Sequence, residues 1–477
     1  MDIWISLAVS LGALCLLLLD ATGVLDLLRP VGLFFYLPIA MNAVGIYALL
    51  IAAGYFSGIV PILSGVLFAV LLLYLGVRLQ IVPARAKPDI PNRLRALNGG
   101  ARLLGASLYA SVFQTGFSVW VIVKMVQKQL PLLPWIFDLV LAAGLLLLLF
   151  FNGLLRVLIL SRRLSVTRRV LTALFLWIPG INLVLCAGTC RIVRQEYAYL
   201  CEKEALLRTR PENTLCATRY PLLLVHGIGF RDFRFWNYWG RIPQTLKKNG
   251  AVLFYGNQEA LGTAADNAAD IKARIFAILK ETGAEKVNII AHSKGGLDAR
   301  YAISRLGMAP YIASLTTIST PHRGCRFVDS ACKLPDGFYR FVAGLFDRTF
   351  HRFGDRSPDF YTATRQFSTA YSAKFNAETP DDPGVYYQSY ASVMRAWYSD
   401  LLLAVPYLLA KASGGANDGL VSVESAKWGH FEGTFQNCRA RGISHGDIID
   451  LKRQDYREFD VQEAYVSIVS VLKKRGF

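Results

Sequence analysis

Acidic residues are scarce in the first part of this 477-residue chain. Residues 1–194 contain five aspartates and glutamates against 16 lysines and arginines, whereas the remainder contains 29 against 36. The formal net charges of the two parts are therefore +11 and +7. The positive excess is largest where the chain is most apolar, and basic residues beside apolar runs are typical of the cytoplasmic ends of membrane helices.

The sequence also lacks the patterns of several common binding sites. None of its eight cysteines lies in a Cys-x-x-Cys pair, which argues against a zinc site built on sulfur. Aromatic and basic residues are not interleaved as they are in nucleic-acid-binding surfaces, so we expect no nucleic-acid partner despite the net charge of +18. The first apolar run has no basic start and no convincing small-residue cleavage site, so we expect it not to be a cleaved signal peptide.

Long apolar runs dominate the first part of the chain. About 20 apolar residues in a helix cross the core of a bilayer, and runs of that order lie at 3–27, 31–54, 57–81, 105–126 and 132–155. Basic clusters in the loops 78–102 and 156–169 predict that both loops are cytoplasmic. The sequence therefore predicts a multi-pass α-helical transmembrane bundle over residues 1–190, with five or six segments in the bilayer.

A sixth apolar segment, residues 170–188, leaves the side of the membrane open. It is barely long enough to span, and Pro179 and Gly180 lie at its middle. If it spans, everything after it is extracytoplasmic; if it folds back at Pro179 and Gly180, everything after it is cytoplasmic. Basic residues flank the segment on both sides, so the positive-inside rule does not choose between these alternatives.

The pattern changes after residue 190. A linker at 191–218 is followed, over 219–477, by short apolar runs that alternate with amphipathic stretches. This alternation predicts an α/β domain with a mostly parallel sheet flanked by helices. We expect strands near 221–227, 251–256, 286–291, 312–320 and 384–392, and helices near 263–282, 297–306 and 458–474.

The stretch "VNIIAHSKGGLDARY", residues 287–301, places a serine between a predicted strand and a predicted helix. Ala291 and Gly295, two positions before and after Ser293, are small enough to let the two backbones approach each other. A strand, a tight turn bearing serine and an immediate helix are typical of the nucleophile elbow. We therefore interpret Ser293 as a candidate nucleophile.

A serine nucleophile needs a base and a carboxylate that orients the base, and in this type of site the acid and then the histidine follow the serine along the chain. Asp418, on a glycine-rich turn, and His445 fit that order. His430 is the rival base, and we favour His445 because His430 adjoins an aromatic stretch that could be a strand. His226 precedes the serine, so we expect it to hold its loop in place.

The developing oxyanion of such a reaction needs backbone donors. The N–H of Lys294, at the start of the predicted helix, is one candidate. The N–H of Ile228, after the turn at Gly227 in "VHGIGF", is the other.

Several segments together resemble the bacterial triacylglycerol lipases of the α/β-hydrolase superfamily. These segments are "LLVHGIGFRD", "NYWGRIP", "AHSKGGLDARY", "STPHRGCRFVD", "NDGLVSVESAKWG" and "SHGDIIDL". The resemblance implies a triad of Ser293, Asp418 and His445, an oxyanion hole at Ile228 and Lys294, and a structural role for His322. It also implies a lid over about residues 327–380, where an aromatic-rich insertion could equally be the core of a helical cap.

The resemblance further implies a structural Ca²⁺ near the catalytic histidine, although no cofactor is needed for the chemistry. Asp447, two residues after His445, is the first candidate ligand, and Asp400 is the second. The sequence-based hypothesis is a membrane-anchored serine hydrolase, multi-pass in a bacterial cell membrane, that cleaves carboxylic esters of lipids. Its alternatives are a lipid acyltransferase with the same triad and a membrane transporter or sensor with a hydrolase-like binding module.

Overall fold

The structure, a computed structural model, divides into two compact units, Met1–Arg210 and Pro211–Phe477. The residues that it describes are 90–128, 132–164, 166–178, 180–209, 214–229, 237–437, 441–456 and 458–477, with scattered positions between 41 and 74. The predicted apolar runs at 3–27, 31–54 and 57–81 therefore lie outside the described ranges, and they stay predictions.

Four helices make up the described ranges of the first unit. They are α1 (Asn92–Lys128), α2 (Leu132–Leu160), α3 (Val166–Leu174) and α4 (Ile181–Thr209). Within the described part of the chain, two helices are long and apolar enough to cross a membrane, and they fall in α1 and α2, around the predicted runs at 105–126 and 132–155. Both expose large apolar side chains, as a lipid-facing helix does.

The segment 170–188 is not one continuous helix. Helix α3 ends at Leu174, and α4 begins at Ile181, after Gly180 with a φ of 82°. The Arg168 guanidinium on α3 donates to the carbonyl oxygen of Leu185 on α4, 3.3 Å away. The chain therefore turns back between α3 and α4, where Gly180 adopts a left-handed conformation that glycine takes without strain.

Helix α4 continues through residues 191–209, within the predicted linker 191–218. The buried Glu196 carboxylate makes contacts that help to hold this part of α4 in place. It accepts hydrogen bonds from the Ser161 hydroxyl at 2.5 Å and from the backbone N–H of Arg162 at 3.0 Å, and it pairs with Arg93 at 3.4 Å. Residue 196 is thereby fixed to the basic loop that follows α2.

The second unit is built on a six-stranded sheet in which every paired strand is parallel to its neighbour. The strands are β1 (Leu222–Val225), β2 (Leu253–Tyr255), β3 (Val287–His292), β4 (Ile312–Ile318), β5 (Tyr386–Ser392) and β6 (His430–Phe435), in the spatial order β2-β1-β3-β4-β5-β6. The predicted parallel sheet is confirmed. All the carboxyl ends of its strands lie at one edge, where ligands bind in open α/β sheets.

Ten helices lie in the described part of the second unit, and members of this set cover both faces of the sheet. They are α5 (Ile242–Lys248), α6 (Ala264–Thr282), α7 (Lys294–Arg305), α8 (Arg326–Ala331), α9 (Asp336–Arg352), α10 (Phe360–Arg365), α11 (Thr369–Glu378), α12 (Ala404–Gly414), α13 (Val423–Ala426) and α14 (Val461–Lys474). Short 3-10 turns lie at Ala309–Tyr311, Trp397–Ser399 and Leu401–Leu403.

The alternation of side chains along β1 shows how the two faces are filled. Leu222 and Leu224 belong to a core cluster with residues of α5 and α14. Leu223 and Val225 point to the other face and pack with residues of α6 and α7. Because both of its faces are buried, β1 is apolar throughout rather than alternating, as expected for an inner strand of a parallel sheet. This core holds the site-bearing loops at the carboxyl edge of the sheet.

Candidate active site

Ser293 lies in the turn between β3 and α7, in a conformation that few residues adopt. Its φ is 55° and its ψ is −128°, and its backbone N–H donates to the Ile318 carbonyl oxygen at 3.0 Å. Backbone strain of this kind costs about 1–3 kcal/mol and persists only where the surrounding structure enforces it. The strained turn is the geometry expected of a nucleophile elbow.

The glycine after the elbow is required by a close approach of two backbones. A Cβ added to Gly295 would lie 2.4 Å from the His226 carbonyl oxygen and 2.7 Å from that of Val225. Both atoms belong to the backbone and cannot move aside easily. The start of α7 therefore contacts the end of β1 directly, which explains the small residue two positions after Ser293.

Asp418 and His445 form a buried hydrogen-bonded pair. Nδ1 of His445 lies 2.8 Å from Oδ2 of Asp418, and the His445 N–H donates to the Asp418 carbonyl oxygen at 2.8 Å. Oδ1 of Asp418 accepts from the backbone N–H groups of Leu420 at 3.0 Å and Val421 at 2.8 Å. The backbone of Leu420 and Val421 on one oxygen and the His445 ring on the other thus fix this carboxylate in one orientation.

This arrangement keeps Asp418 ionised. Burial alone would raise the pKa of its carboxyl group, but the charge of His445 and the hydrogen bonds from His445, Val421 and Leu420 lower the pKa below the usual 3.8. An ionised carboxylate at Nδ1 selects the imidazole tautomer that carries its proton on Nδ1. Nε2 is then the nitrogen that can accept a proton.

His445 packs beside the elbow. Its ring centroid lies 4.4 Å from that of His292, the residue immediately before Ser293. The Tyr238 hydroxyl lies 2.6 Å from Nδ1 of His292 and fixes that ring. Burial lowers the pKa of His292 well below 6.5, and the charge of His445 lowers it further. His292 is therefore neutral, and its ring packs between His445 and strand β3.

An apolar cavity of about 360 Å³ adjoins Ser293. Ile228, Leu420 and Val421 line it beside the serine. The rest of its wall comes from Pro321, Cys325, Phe327, Val328, Ala331, Leu334, Phe338, Tyr339, Val342, Phe360, Thr364 and Phe367. None of these lining residues carries a charge. The cavity suits an uncharged, largely hydrocarbon ligand.

The two predicted oxyanion donors lie next to the serine. Lys294 is the first residue of α7, so its N–H has no acceptor within the helix. Its buried ammonium pairs with Asp298 on the next turn, with Nζ 2.5 Å from Oδ1. Ile228 follows Gly227, and a Cβ added to Gly227 would lie 2.9 Å from the Cβ of Ser293. The loop bearing Ile228 therefore passes very close to the serine.

The other histidines lie in different surroundings. His430 begins β6, three strands away from β3, the strand that precedes Ser293, and its side chain is 60% exposed. His226 lies with Nε2 3.0 Å from the Gln258 carbonyl oxygen, in the loop that follows β1. His322 is buried, stacks on Trp428 and lies 3.0 Å from the Thr317 hydroxyl.

The predicted calcium ligands are already paired with cationic side chains. Lys452 contacts the Asp400 carboxylate and lies 3.6 Å from Asp447, and Arg441 lies 3.1 Å from Asp447. Among the described residues, no group of three or more His, Cys, Asp or Glu side chains could hold a metal ion. Lys452 thus links Asp400 to Asp447, and these surroundings do not fit a calcium ion.

Sequence reasoning missed Tyr238 and Lys452 as residues of this site. Tyr238 belongs to the segment "NYWGRIP", which entered only as part of the family resemblance. Nothing in the sequence around Tyr238 indicates that its hydroxyl contacts His292, 54 residues away. Lys452 could have been found, because a basic residue five positions after Asp447 is the simplest counter-ion for that carboxylate.

Comparisons with known proteins agree with this geometry. Residues 219–309 match the family model described as "Lipase (class 2)". The chain is 30% identical over 259 residues to triacylglycerol lipase 2 of Saccharomyces cerevisiae, covering 50% of this chain and 74% of the relative. It is 36% identical over 185 residues to a triacylglycerol lipase of Pseudarthrobacter phenanthrenivorans, covering 35% of this chain and 56% of that relative.

A solved structure was also matched, that of the mature form of a Bacillus licheniformis lipase. The TM-score is 0.41 at 19% identity, over 56% of this chain and 95% of that one. The relatives come from a yeast as well as from bacteria, so the bacterial branch of the resemblance is not singled out. The likeness to the yeast enzyme over most of its length places this chain in the triacylglycerol lipase family, as a serine ester hydrolase.

Proposed function

We propose that Ser293, His445 and Asp418 are the catalytic triad of a lipase that releases fatty acids from neutral lipid esters at a membrane. The observation that carries the proposal is the 2.8 Å pair between Asp418 and His445 beside the strained serine turn. The positions of Ile228 and Lys294 support their role as oxyanion donors.

The geometry supports the following reaction. Oγ of Ser293 attacks the ester carbonyl carbon and gives its proton to Nε2 of His445, while the oxyanion accepts hydrogen bonds from the N–H groups of Ile228 and Lys294. The ester C–O bond then breaks, and the alcohol leaves with the proton from Nε2. His445 next deprotonates a water molecule, which attacks the acyl-serine; the fatty acid leaves, and the proton returns to Ser293.

The substrate class follows from the cavity wall. The lining residues carry no charge that would hold a phosphate headgroup, whereas an acyl chain gains by leaving water for an apolar pocket. We therefore expect the full chain in detergent to hydrolyse emulsified triacylglycerol faster than phosphatidylcholine. Titration of the released fatty acid measures both rates, and a preference for the phospholipid would contradict this assignment.

Shortening the cavity should shift the preferred acyl length. Val342 on α9 lines the cavity, and its replacement by tryptophan should block the acyl-binding space. We expect kcat/KM for long-chain p-nitrophenyl esters to fall by at least about tenfold, while that for short-chain esters stays within about threefold.

The matched control for Val342→Trp is Leu345→Trp on the same helix. Leu345 is 60% exposed and does not line the cavity, so this variant should keep the wild-type ratio of long-chain to short-chain activity. Equal losses for both chain lengths in Val342→Trp would show that the cavity does not hold the acyl group.

We also propose that the first unit is a multi-pass membrane anchor and that the hydrolase unit is cytoplasmic. Helices α1 and α2 support the anchor. The turn at Gly180 supports the cytoplasmic placement, because the chain then does not cross the bilayer between α3 and α4. The contacts of Glu196 with Ser161 and Arg162 support it as well, because they place residue 196 on the same side of the membrane as the basic loop 156–169.

Labelling of an introduced cysteine tests this topology. Glu202 is exposed on α4, beyond Glu196, and we choose Glu202→Cys in a chain that also carries Cys201→Ser. A membrane-impermeant maleimide should not label this cysteine in intact cells and should label it after permeabilisation. The Cys201→Ser chain gives the background from the other cysteines. Full labelling of intact cells would place the hydrolase unit outside.

A further inference from the structure

The loop that carries His445 is bound to a small cluster of charged residues. We define this charge cluster as Asp400, Asp447, Arg441 and Lys452. The carboxylates are almost fully buried, with Asp400 5% and Asp447 0% exposed. Asp447 lies two residues after His445, and Asp400 follows the 3-10 turn Trp397–Ser399, so the cluster joins distant parts of the chain.

Lys452 lies at the centre of the cluster. Its ammonium group contacts Oδ2 of Asp400 and lies 3.6 Å from Oδ1 of Asp447. Oδ2 of Asp400 also accepts a hydrogen bond from the Ser444 hydroxyl at 2.9 Å. Lys452 thus links Asp400 to Asp447, which lies two residues after His445. Asp400 in turn binds Ser444, the residue immediately before His445.

Both oxygens of the Asp447 carboxylate accept hydrogen bonds from other donors. Oδ1 of Asp447 accepts from the Tyr456 hydroxyl at 2.6 Å. Oδ2 of Asp447 accepts from Nη2 of Arg441 at 3.1 Å and from the backbone N–H of Ser444 at 3.1 Å. The carboxylates of Asp400 and Asp447 therefore meet one ammonium and one guanidinium group, and the formal charges balance.

A calcium ion does not fit these surroundings. It requires six to eight oxygen ligands, whereas the position between the two carboxylates is taken by the ammonium group of Lys452. A divalent ion placed there would meet the charge of Lys452 at short range, and repulsion between like charges raises the free energy of binding.

We infer that the ammonium group of Lys452 takes the place of a structural divalent cation in this enzyme. Lys452 is a positioning residue: it neutralises the two carboxylates and thereby holds the loop that presents His445. The inference rests on the proposed role of His445 as the base. Two consequences follow: the wild-type enzyme does not depend on calcium, and removal of the ammonium group leaves two buried carboxylates that a calcium ion can bridge.

The first experiment uses the wild-type full chain in detergent. Neither a chelator nor millimolar CaCl₂ should change its rate of ester hydrolysis or its thermal midpoint. Loss of activity in the chelator with recovery on addition of calcium would overturn the inference, and this arm does not depend on the folding of any variant.

The second experiment replaces Lys452 by methionine, which keeps the aliphatic stem and removes the charge. In chelator, we expect kcat to fall by at least about tenfold while KM changes by less than about threefold, because His445 is displaced but the cavity is not. Millimolar calcium should restore most of the rate and raise the thermal midpoint. Lys452→Arg should keep most of the wild-type rate without calcium.

The matched control is Lys427→Met. Lys427 also pairs with a carboxylate, that of Glu424, but its side chain is 38% exposed and lies outside the charge cluster. This variant should keep the wild-type rate with and without calcium. A Lys452→Met chain with the wild-type rate and thermal midpoint in chelator would contradict the inference.

Calcium binding gives a readout that is independent of activity. Isothermal titration with CaCl₂ should show one site in Lys452→Met and none in the wild type or in Lys427→Met. Failure of the proposed triad would appear differently: if His445 is not the base, Lys452→Met should still acquire the calcium site and the calcium-dependent thermal midpoint, but its rate would be unchanged. A Lys452→Met chain that binds no calcium would overturn the inference.

Discussion

Replacement of Ser293 by alanine is expected to lower kcat for ester hydrolysis by about 10⁵- to 10⁶-fold, which is the scale of removing the nucleophile of a serine hydrolase. The acyl-serine cannot form without Oγ, so hydrolysis falls to the residual rate that oxyanion donors and substrate binding supply. KM should change little, because the cavity is otherwise intact. Steady-state hydrolysis of a short-chain p-nitrophenyl ester measures this loss.

The matched control for Ser293→Ala is Ser319→Ala. Ser319 is also buried, has a φ of 49° and follows the end of β4 at the same edge of the sheet. Its hydroxyl contacts Ser392 at 3.2 Å rather than lining the cavity. We expect this variant to retain activity within about tenfold. Comparable losses in the two variants would show that the effect comes from the strained sheet edge and not from a nucleophile.

Replacement of Asp418 by asparagine should have the second largest effect, a fall in kcat of about 10³- to 10⁴-fold. The amide oxygen of the asparagine can still accept hydrogen bonds from the backbone N–H groups of Leu420 and Val421, so the turn is retained. Its amide group presents a donor to Nδ1 of His445, which favours the tautomer with the proton on Nε2. That nitrogen can then no longer accept the proton of Ser293.

Replacing the two candidate bases separates them. His445→Gln should lose activity to a similar degree as Asp418→Asn, whereas His430→Gln should keep it, since His430 is exposed on a strand that lies three strands away from β3. Purified variants are compared at one pH in the same ester assay, with the thermal midpoint as a check of folding. A large loss in His430→Gln with an active His445→Gln would reverse the assignment.

The sequence predicted the elbow because its determinants are local. A β-branched run, two small residues and a helix within 15 positions define the turn, and the structure shows a backbone contact that Gly295 permits. The neighbouring strands were predictable for the same reason: strands that are buried on both faces form continuous apolar runs. The local sequence pattern was sufficient to predict a structure wherever one short segment determines its own geometry.

The interactions around His445 could not be predicted in this way. Lys452 and Asp400 are 52 positions apart, and Tyr238 and His292 are 54 apart. Partners at such distances are chosen by the fold, not by local propensity. Calcium was expected from the resemblance alone, and the sequence analysis did not single out Lys452, which contacts Asp400 and approaches Asp447.

The segment around Gly180 shows a third case. Its sequence allowed a span or a hairpin, because its length and flanking charges fit both. Long-range contacts resolved the local fold: Arg168 reaches Leu185, and Glu196 reaches Ser161. Helix α4 then continues past residue 190, where the fall in hydropathy suggested a linker. A change in composition marked the end of the apolar region and not the end of the helix.

The residue that forms the covalent intermediate is tested most directly by locating the adduct of a fluorophosphonate. The full chain in detergent is treated with the probe, digested and analysed by mass spectrometry. We expect one adduct, on Ser293 in the peptide that contains residues 287–301, and none in Ser293→Ala. An adduct on another residue, or equal labelling of wild type and Ser293→Ala, would contradict the assignment of Ser293 as the nucleophile.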